Sequence, residues 1–562
     1  MIISRINDGI GIRTRNPETL EREEKVVSFK EFPPYFFIKK DSPYTEIENL
    51  MFKDRWGRFR LEINTEEGDY KNLEGEDLVK VTWNPSRPSY SYRLRDKLGQ
   101  TYEADVAHHY RYAVDCIDEM PEYKMRKWYW DMEWMQGGEH DEAITCIAMY
   151  DNYDEQYTMY YWLPNQEEVS RRESQEALDY DFYEDNRNRV FTSEKKMLVT
   201  FLADMINKDP DMLISWFGWK FDLPKLIERI VAHDLDPRLM SPFNEITGVN
   251  KSGYEEAIHN YSPISQPIKG RICVPLDMAF ERQWNDAQRG TLPSMALDYV
   301  AETVLGSKKL VSEKFPDKNE FFARGWLEDT ETYLEYARVD VELLVRIDEM
   351  QHTTEAILSL QRLLKAPFDA CFYASNMGGI YFMRNAPWKA PTGEKGQRVA
   401  YDGAMVYDPL SESTNGLHLG VAAFDFAGLY PSMTIARNIS FETISDEPTA
   451  FGVNIKTPKD FSAETEYEMM YFKTDELGIL PKALLELKEL RNEYKSLMRN
   501  AETTSDYNKW NNNQLAVKRL MASFYGIIAY QGFGWANVDL AASITASARQ
   551  AIREAAFKAR EL

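Results

Sequence analysis

The sequence predicts a mixed α/β fold divided among several domains, and three observations support this. At 562 residues the chain is too long for one core, so roughly three to five domains are expected. Residues 1–105 alternate short apolar runs with turn-rich stretches, which predicts a β-rich N-terminal domain. Strand patterns and helical spacings then follow one another over residues 106–350. With 43% hydrophobic residues, the chain can bury such cores.

Individual segments support this division. KWYWDMEWM, AITCIAMYD and QYTMYYWLP predict three consecutive strands, while KKMLVTFLADMINK and LPKLIERIVAHD have helical spacing. A helix around EAILSLQRLLKA precedes a Gly/Pro-rich linker, APTGEKGQ. A strand-rich region is predicted from residue 401, and two long helices follow from near Pro481. Because only the polar segment ETTSDYN separates these two helices, we expect an antiparallel hairpin.

Composition narrows the function classes. The net charge of −24 lowers the expectation of nucleic-acid binding without removing it, since a basic groove can lie on an acidic body. An acidic enzyme with no polymer substrate is the alternative. No stretch approaches the ~20 apolar residues of a membrane span, and the N-terminus lacks the apolar centre of a signal peptide. A soluble, cytoplasmic protein is expected, with four separate cysteines as reduced, buried thiols.

Two acidic residues stand out in the first of the three predicted strands. Asp131 and Glu133 are two apart, so their side chains point to the same face of a strand. In so apolar a segment, paired carboxylates are costly unless a cation neutralises them. The alternative is that both lie on a solvated face.

Three further residues, from two other segments, are candidates for the same site. Asp222 precedes Leu223-Pro224 at the start of a predicted helix, where an aspartate is also a good helix cap. Tyr336 and Asp340 lie four apart on one helix face, which is also the spacing of an ordinary solvated pair.

The ordered trio DxE, FD and YxxxD resembles the three exonuclease motifs of the DEDD nucleases that proofread for family B DNA polymerases. The resemblance implies that four carboxylates hold two divalent metals, Mg²⁺ or Mn²⁺, and that Tyr336 orients the attacking water. These four are Asp131, Glu133, Asp222 and Asp340. One departure is Phe217, which occupies a position where family members usually carry an asparagine that contacts substrate.

The segment DFAGLYPS predicts a further acidic site. Val421 to Phe424 is interpreted as a buried strand that delivers Asp425 at its end, although a surface turn is the alternative. The segment resembles the family B motif DxxSLYPS. The resemblance implies that Asp425 and the Phe426 carbonyl bind the catalytic metals, that Leu429 and Tyr430 contact the nucleotide, and that Tyr430 packs under its sugar.

Basic residues follow on the two long helices. Lys488, Arg491, Lys495 and Arg499 form one stripe, which a solvated helix face also explains. Arg491 and Lys495 match an RxxxK pair of the family, and Lys518 begins KRLMASFYG, which resembles KxxxNSxYG with Ala522 in place of the asparagine. These matches imply that Arg491, Lys495 and Lys518 bind the nucleotide's phosphates.

Two weaker matches complete the resemblance to family B. Tyr401 to Ala404 resembles YxGG/A, although a turn around Gly403 is the simplest local explanation. Ile544, Thr545 and Arg549 echo ITxxGR, with Ala548 for the glycine.

The resemblance also implies a domain plan and a set of partners. The fold expected is a β-rich N-terminal domain, an RNase H-like exonuclease domain, and a palm with a helical-hairpin fingers insertion. The predicted boundaries are 1–105 for the N-terminal domain, 106–350 for the exonuclease, 351–400 for the connection, 401–475 for the first part of the palm, 476–530 for the fingers and 531–562 for a palm helix. The expected partners are primer–template DNA and dNTPs, with a sliding clamp as a further candidate, in viral or prokaryotic replication.

The third polymerase motif of the family, which bears a further metal-binding aspartate, is not in this sequence. We therefore expect the N-terminal portion of a polymerase, from a truncated chain, a split gene or a split intein, whose nucleotide addition needs a C-terminal polypeptide. Two alternatives remain: a stand-alone exonuclease with a non-functional polymerase half, and a non-catalytic DNA-binding replication factor.

Overall fold

The computed structural model describes most of the chain. The described residues are 1–54, 57–176, 186–250, 253–254, 258, 261, 266–286, 290–393, 400–405, 417, 419–422, 425–459, 466–530 and 532–561.

The strands are β1 Ile2–Ile6, β2 Gly9–Arg15, β3 Arg22–Ser28, β4 Tyr35–Lys39, β5 Asn49–Asp54, β6 Gly57–Lys71, β7 Asp77–Asn84, β8 Thr101–Tyr102, β9 Lys127–Trp134, β10 Ile144–Asp151, β11 Gln156–Trp162, β12 Asn186–Phe191, β13 Met212–Ser215, β14 Val249–Asn250, β15 Gly253–Tyr254, β16 Ile272–Pro275, β17 Ile444–Ser445, β18 Phe451–Asn454 and β19 Met469–Phe472.

The α-helices are α1 Ser91–Arg95, α2 His108–Cys116, α3 Gln166–Glu176, α4 Glu194–Lys208, α5 Asp222–Ala232, α6 Leu276–Asp286, α7 Leu297–Leu305, α8 Lys318–Glu320, α9 Trp326–Glu328, α10 Thr330–Gln351, α11 Thr353–Leu364, α12 Ala374–Asn385, α13 Leu429–Ala436, α14 Ile479–Arg499, α15 Thr504–Ile528 and α16 Val538–Glu561. Short 3₁₀ turns occur at Pro88–Tyr90, Pro237–Met240 and Phe368–Phe372, and a π-turn at Phe321–Gly325.

The chain folds into two compact units, each assembled from two stretches of sequence. Unit 1 contains Met1–Ser28 and Ile117–Phe372, and unit 2 contains Phe29–Cys116 and Tyr373–Leu562. The mixed α/β, multidomain fold class is confirmed. The six-part division drawn from the sequence is finer than these two units and stays a prediction.

A six-stranded mixed sheet forms the centre of unit 1, in the order β12-β11-β10-β9-β13-β16. The three predicted strands pair antiparallel as β9, β10 and β11, while β12, β13 and β16 each join in parallel. Helix α10 packs against β9 and β10. Asp131 pairs with Ala148 and Glu133 with Cys146, so both acids lie on one face of β9 as their spacing predicts.

The N-terminal hairpin sheet β1-β2-β3 is held within unit 1 by buried ion pairs. The side chain of Asp211 is fully buried, and one of its oxygens accepts hydrogen bonds from Arg15 Nε at 2.8 Å and from the Arg126 backbone N–H at 2.9 Å. Arg22 pairs with the other oxygen at 2.6 Å. Because every charge here has an opposite partner, the cluster offsets the cost of its own burial.

Among the described residues, unit 2 contains a five-stranded sheet, β5-β6-β7-β4-β8, a small sheet, β17-β19-β18, and the helices α1, α2 and α12 to α16. Helices α14 and α15 form the expected antiparallel hairpin, with Leu484 and Leu487 of α14 and Leu520 of α15 buried. Near the connection, the rings of Tyr494 and Trp510 stack with centroids 5.7 Å apart. The hairpin is therefore buried at its base, while an aromatic pair joins its two helices near the connection.

Two local predictions were wrong. Val421 is 73% exposed and lies in no strand, because nothing in the described residues packs against it; Ala423 and Phe424, the rest of that predicted strand, lie outside the described residues. Among the four cysteines, Cys116 is exposed because it ends α2, while Cys146, Cys273 and Cys371 are buried as expected. None of the helices in the described part of the chain has both the length and the hydropathy to cross a membrane.

Asp211→Ala should destabilise unit 1 by roughly 3–5 kcal/mol, because it leaves the Arg15 and Arg22 guanidinium groups without their buried partner. Denaturant unfolding followed by tryptophan fluorescence measures this. Asp118→Ala, which removes an exposed carboxylate from the same unit, should change the free energy of unfolding by less than about 0.5 kcal/mol. Equal effects of the two substitutions would contradict the role given to Asp211.

Candidate active site

Three carboxylates meet where β9 lies against α10. Asp131 and Glu133 extend from β9, and Asp340 extends from α10, with ligand oxygens that all lie within 4.8 Å of one another. Asp340 is only 1% exposed. Across the described residues, this is the one group of acids, histidines and cysteines with the spacing of a metal site. The solvated-face alternative for Asp131 and Glu133 is therefore wrong.

Asp222 lies beside this group as the first residue of α5, which begins just after the turn that follows β13. It is 5% exposed, and Phe221, not Asp222, occupies the N-cap position without any side-chain cap bond. The helix-cap alternative is therefore not what the structure shows. Burial, with the Asp131 charge, raises the pKa of Asp222 well above its usual range, so Asp222 interacts with the group although it is outside the 4.8 Å set.

The electrostatics of the cluster favour protons or cations. Burial and the Asp340 charge raise the pKa of Asp131 to about 7. Burial and the Asp131 charge raise the pKa of Glu133 well above its usual range. Burial also raises the pKa of Asp340, against the opposing effect of a nearby lysine. Like charges in a low-dielectric site disfavour ionisation in this way until a positive charge is supplied.

Lys309 supplies one positive charge and was missed by the sequence reasoning. Its ammonium donates to Asp340 and lies 3.4 Å from the Tyr336 hydroxyl. The Lys309 backbone N–H is anchored to Asp298 Oδ1 at 2.9 Å. Nearby anions outweigh burial and raise the Lys309 pKa. Because Lys309 lies in a loop with no motif spacing to the acids, only the fold brings it to the site.

The residues present fit a divalent cation. The donors are all carboxylate oxygens, which Mg²⁺ and Mn²⁺ prefer. Asp340 Oδ1 is buried and has no hydrogen-bond partner among the described residues. Such an atom normally pairs with something, and a cation at the shared centre of the three carboxylates would pair with it. Tyr336 is buried on the same helix one turn before Asp340, as its spacing predicts.

A second constellation lies in unit 2, where three tyrosines from three separate sequence motifs meet. The rings of Tyr430 and Tyr525 are 4.5 Å apart, and the Tyr401 and Tyr525 hydroxyl groups lie 3.0 Å apart. Arg549 is fully buried and donates to the carbonyl oxygens of Asp402 and Gly403, each at 2.6 Å. The segment around Gly403 is thus held by Arg549 and is not a turn.

Three basic side chains lie on the facing parts of the α14–α15 hairpin. Arg491 Nε donates to Gln514 Oε1 at 3.2 Å, which orients its guanidinium. The Arg491 charge and burial lower the pKa of Lys495, with smaller effects from Arg499 and Lys518. In the described part of the chain, Arg491, Lys495 and Lys518 form no ion pair with an acid. Mutually repelling cations without carboxylates favour a bound anion.

Asp425 is exposed and lies three residues before Gly428, the left-handed residue that caps the N-terminus of α13. Phe426 is 43% exposed, and Leu429 is the first residue of α13. Within the described residues, Asp425 is not grouped with two further metal-binding side chains. The structure thus gathers Tyr430 with the other tyrosines, but it leaves Asp425 outside any acidic cluster.

Between pH 4 and 7, the metal-free protein should lose stability as pH rises. The folded pKa of Asp131 is raised to about 7, so the folded state holds a proton that the unfolded state, with a pKa of about 3.9, has released. Stability is therefore fully present below about pH 4 and is lost as pH rises through about 7. Denaturant unfolding with a chelator should show this slope, and Asp131→Asn should make it shallower.

Asp141→Asn is the matched control, since Asp141 is an exposed carboxylate in the β9–β10 connection. Its slope should equal that of the unsubstituted protein. A slope unaffected by Asp131→Asn would contradict the raised pKa.

Comparison with known proteins identifies the family. The sequence model described as "DNA polymerase family B" matches residues 374–559, and that described as "DNA polymerase family B, exonuclease domain" matches residues 100–278. The second match contains Asp131, Glu133 and Asp222 but ends before Lys309 and Asp340. The assignment of those last two residues to the cluster rests on geometry.

Relatives match along almost the whole chain. The DNA polymerase of Pyrococcus glycovorans is 26% identical over 554 residues, covering 94% of this chain. That of Desulfurococcus sp. (strain Tok) is 25% identical over 559 residues, and DNA polymerase 1 of Pyrococcus abyssi is 26% identical over 556, both again covering 94%. The chain spans 64–65% of the length of these relatives. Together, the two family matches and these relatives show that the chain belongs to family B of the DNA polymerases.

Proposed function

We propose that the chain is a DNA-directed DNA polymerase with a proofreading 3′→5′ exonuclease, and that its exonuclease site is the carboxylate cluster of unit 1. The observation that carries the exonuclease is that two half-buried acids of β9 and a buried acid of α10 form one group, with the buried Asp222 at the start of α5 beside it. Removing several carboxylates from water together costs free energy, and no structural role of this group offsets that cost. The substrate of this site would be the 3′ end of single-stranded DNA.

In the exonuclease, Asp131, Glu133, Asp222 and Asp340 would hold two Mg²⁺ or Mn²⁺ ions. When bound, a metal pair activates water and stabilises the departing oxygen of an in-line displacement. The Tyr336 hydroxyl would orient the attacking water as a hydrogen-bond partner. Lys309 would favour the ionised form of Asp340, and its contact with Tyr336 would hold that hydroxyl in place.

In the polymerase half, the unpaired cations of the α14–α15 hairpin carry the proposal. Arg491, Lys495 and Lys518 would bind the triphosphate of an incoming dNTP, with Arg491 already oriented by Gln514. Tyr430, packed on Tyr525, would support the sugar. Asp425, with the Phe426 carbonyl, would contribute to the metal site for nucleotide addition to a primer–template.

Several parts of this function remain predictions. They are the need for a further polypeptide in nucleotide addition, a sliding-clamp partner, and the choice between Mg²⁺ and Mn²⁺. The stand-alone exonuclease alternative would leave the Arg491, Lys495 and Lys518 cluster without a role. The polymerase proposal gives that cluster one.

Asp131→Ala and Asp222→Ala should each lower Mg²⁺-dependent hydrolysis of a single-stranded DNA 3′ end by about a thousandfold or more, because each removes a carboxylate from the cluster. Release of the labelled 3′-terminal nucleotide measures this. Asp141→Ala should leave the rate unchanged. Metal-dependent activity retained by both site variants would refute the exonuclease assignment.

Arg491→Ala and Lys495→Ala should each weaken dNTP binding by about tenfold or more, since each removes a charge-assisted hydrogen bond to phosphate. Titration with a fluorescent dNTP in the presence of Mg²⁺ measures this. Lys482→Ala removes an exposed lysine from the other end of α14, so it is the matched control and should have little effect. If all three variants bind equally well, the phosphate site lies elsewhere.

A further inference from the structure

Phe217 has a backbone conformation that a bulky side chain rarely adopts. Its φ angle is +57°, in the left-handed region. This conformation costs an L-residue free energy because its Cβ crowds the following carbonyl oxygen. Asparagine and glycine tolerate it best. The sequence nevertheless places a phenylalanine here. Strain of this kind is found preferentially at functional sites.

The strain cannot relax, because the turn between β13 and α5 is fixed at both ends. The Phe217 N–H donates to Asp277 Oδ1 at 3.2 Å, and the Phe217 carbonyl oxygen accepts from Lys220 and Phe221. At Gly218, a Cβ atom would lie 1.9 Å from Ser215 Oγ and 3.4 Å from Asp222 Oδ2. The backbone at this point therefore lies directly beside a carboxylate of the proposed active site.

The Phe217 side chain is not part of the buried core. It is half-buried, and its recorded ring contact within the described residues is an edge contact with Trp216 at 6.3 Å. Parallel pairing of Ile214 with Tyr129 places the following turn level with Asp131. Four residues later, Phe221 is 49% exposed. An aromatic, partly exposed surface thus adjoins the cluster.

We propose that the Phe217 ring is a stacking platform for the 3′-terminal base of single-stranded DNA in the exonuclease site. Aromatic rings stack on the face of any base, so the contact binds an unpaired end without reading its sequence. An asparagine at this position could donate and accept hydrogen bonds but could not stack. The chain would therefore hold the end of its substrate through the plane of the base. This inference rests on the proposed exonuclease.

Phe217→Asn separates stacking from folding, because asparagine suits the left-handed conformation. Its free energy of unfolding should be unchanged or higher. Its KM for a single-stranded oligonucleotide should rise about tenfold, the usual effect of losing one stacked base, while kcat stays within about twofold. Phe217→Trp, which keeps an aromatic ring at this position, should have the KM of the wild type. For an oligonucleotide whose 3′-terminal nucleotide lacks a base, wild type and Phe217→Asn should have the same KM.

Leu239→Ala is the control, since Leu239 is a 45% exposed apolar side chain of the same unit; it should change neither KM nor stability appreciably. Loss of stability in Phe217→Asn with an unchanged KM would overturn the proposal and make Phe217 a packing residue. An equal rise in KM for the normal and the base-free oligonucleotides would also overturn it.

A binding measurement separates this proposal from the exonuclease proposal. In the Asp131→Ala background, 2-aminopurine at the 3′ end should be quenched on binding, and Phe217→Asn should remove that quenching. Quenching that depends on Phe217, in a protein whose metal-dependent hydrolysis survives Asp131→Ala, would support stacking and refute the catalytic assignment. Hydrolysis that requires Asp131, together with quenching that does not require Phe217, would support the catalytic assignment and refute stacking on Phe217.

Discussion

Repulsion among buried carboxylates is the constraint around which unit 1 is organised. Two unit charges 4.8 Å apart repel by about 3 kcal/mol at an effective dielectric constant of about 20. Asp131, Glu133 and Asp340 place several such pairs in one site, with Asp222 close by. Lys309 can offset only one of these charges. The fold must therefore hold the acids together rigidly, and the mostly buried strand β10 beside β9 and the packed face of α10 provide that rigidity.

Unit 2 has the opposite electrostatic problem. The chain as a whole carries a net charge of −24, yet Arg491, Lys495 and Lys518 lie together without an acidic partner. Their mutual repulsion lowers the pKa of Lys495, just as like charges raise the pKa values of the carboxylates in unit 1. Each unit thus keeps an excess of one sign at one place, and in each the excess matches the charge of a proposed ligand. The net charge does not reveal these two local excesses, because it sums the charges of the whole chain.

Much of the carboxylate site could be predicted from the sequence because it depends on local periodicity. The two-residue spacing of Asp131 and Glu133 and the four-residue spacing of Tyr336 and Asp340 determine which face each side chain occupies once strand and helix are assigned. Lys309 could not be predicted, because its position depends on how its loop is tied to Asp298. Nor could the conformation of Phe217, since the turn that imposes it is fixed by Asp277 and Gly218. The prediction that Val421 is buried was wrong, because an apolar pattern does not show whether another surface is present to cover it.

The alternation of the two units along the chain has a consequence for synthesis. Strands β1 to β3 leave the ribosome before the rest of unit 1, and their partners there, which include Asp209 and Asp211, follow only after the 88-residue stretch Phe29–Cys116 of unit 2 has been made. Until then, Arg13 and Arg15 have no acids to pair with on that side. Unit 1 can therefore close only when residues 117–372 have emerged. A gene fragment that begins at residue 117 would lack the strands that complete it.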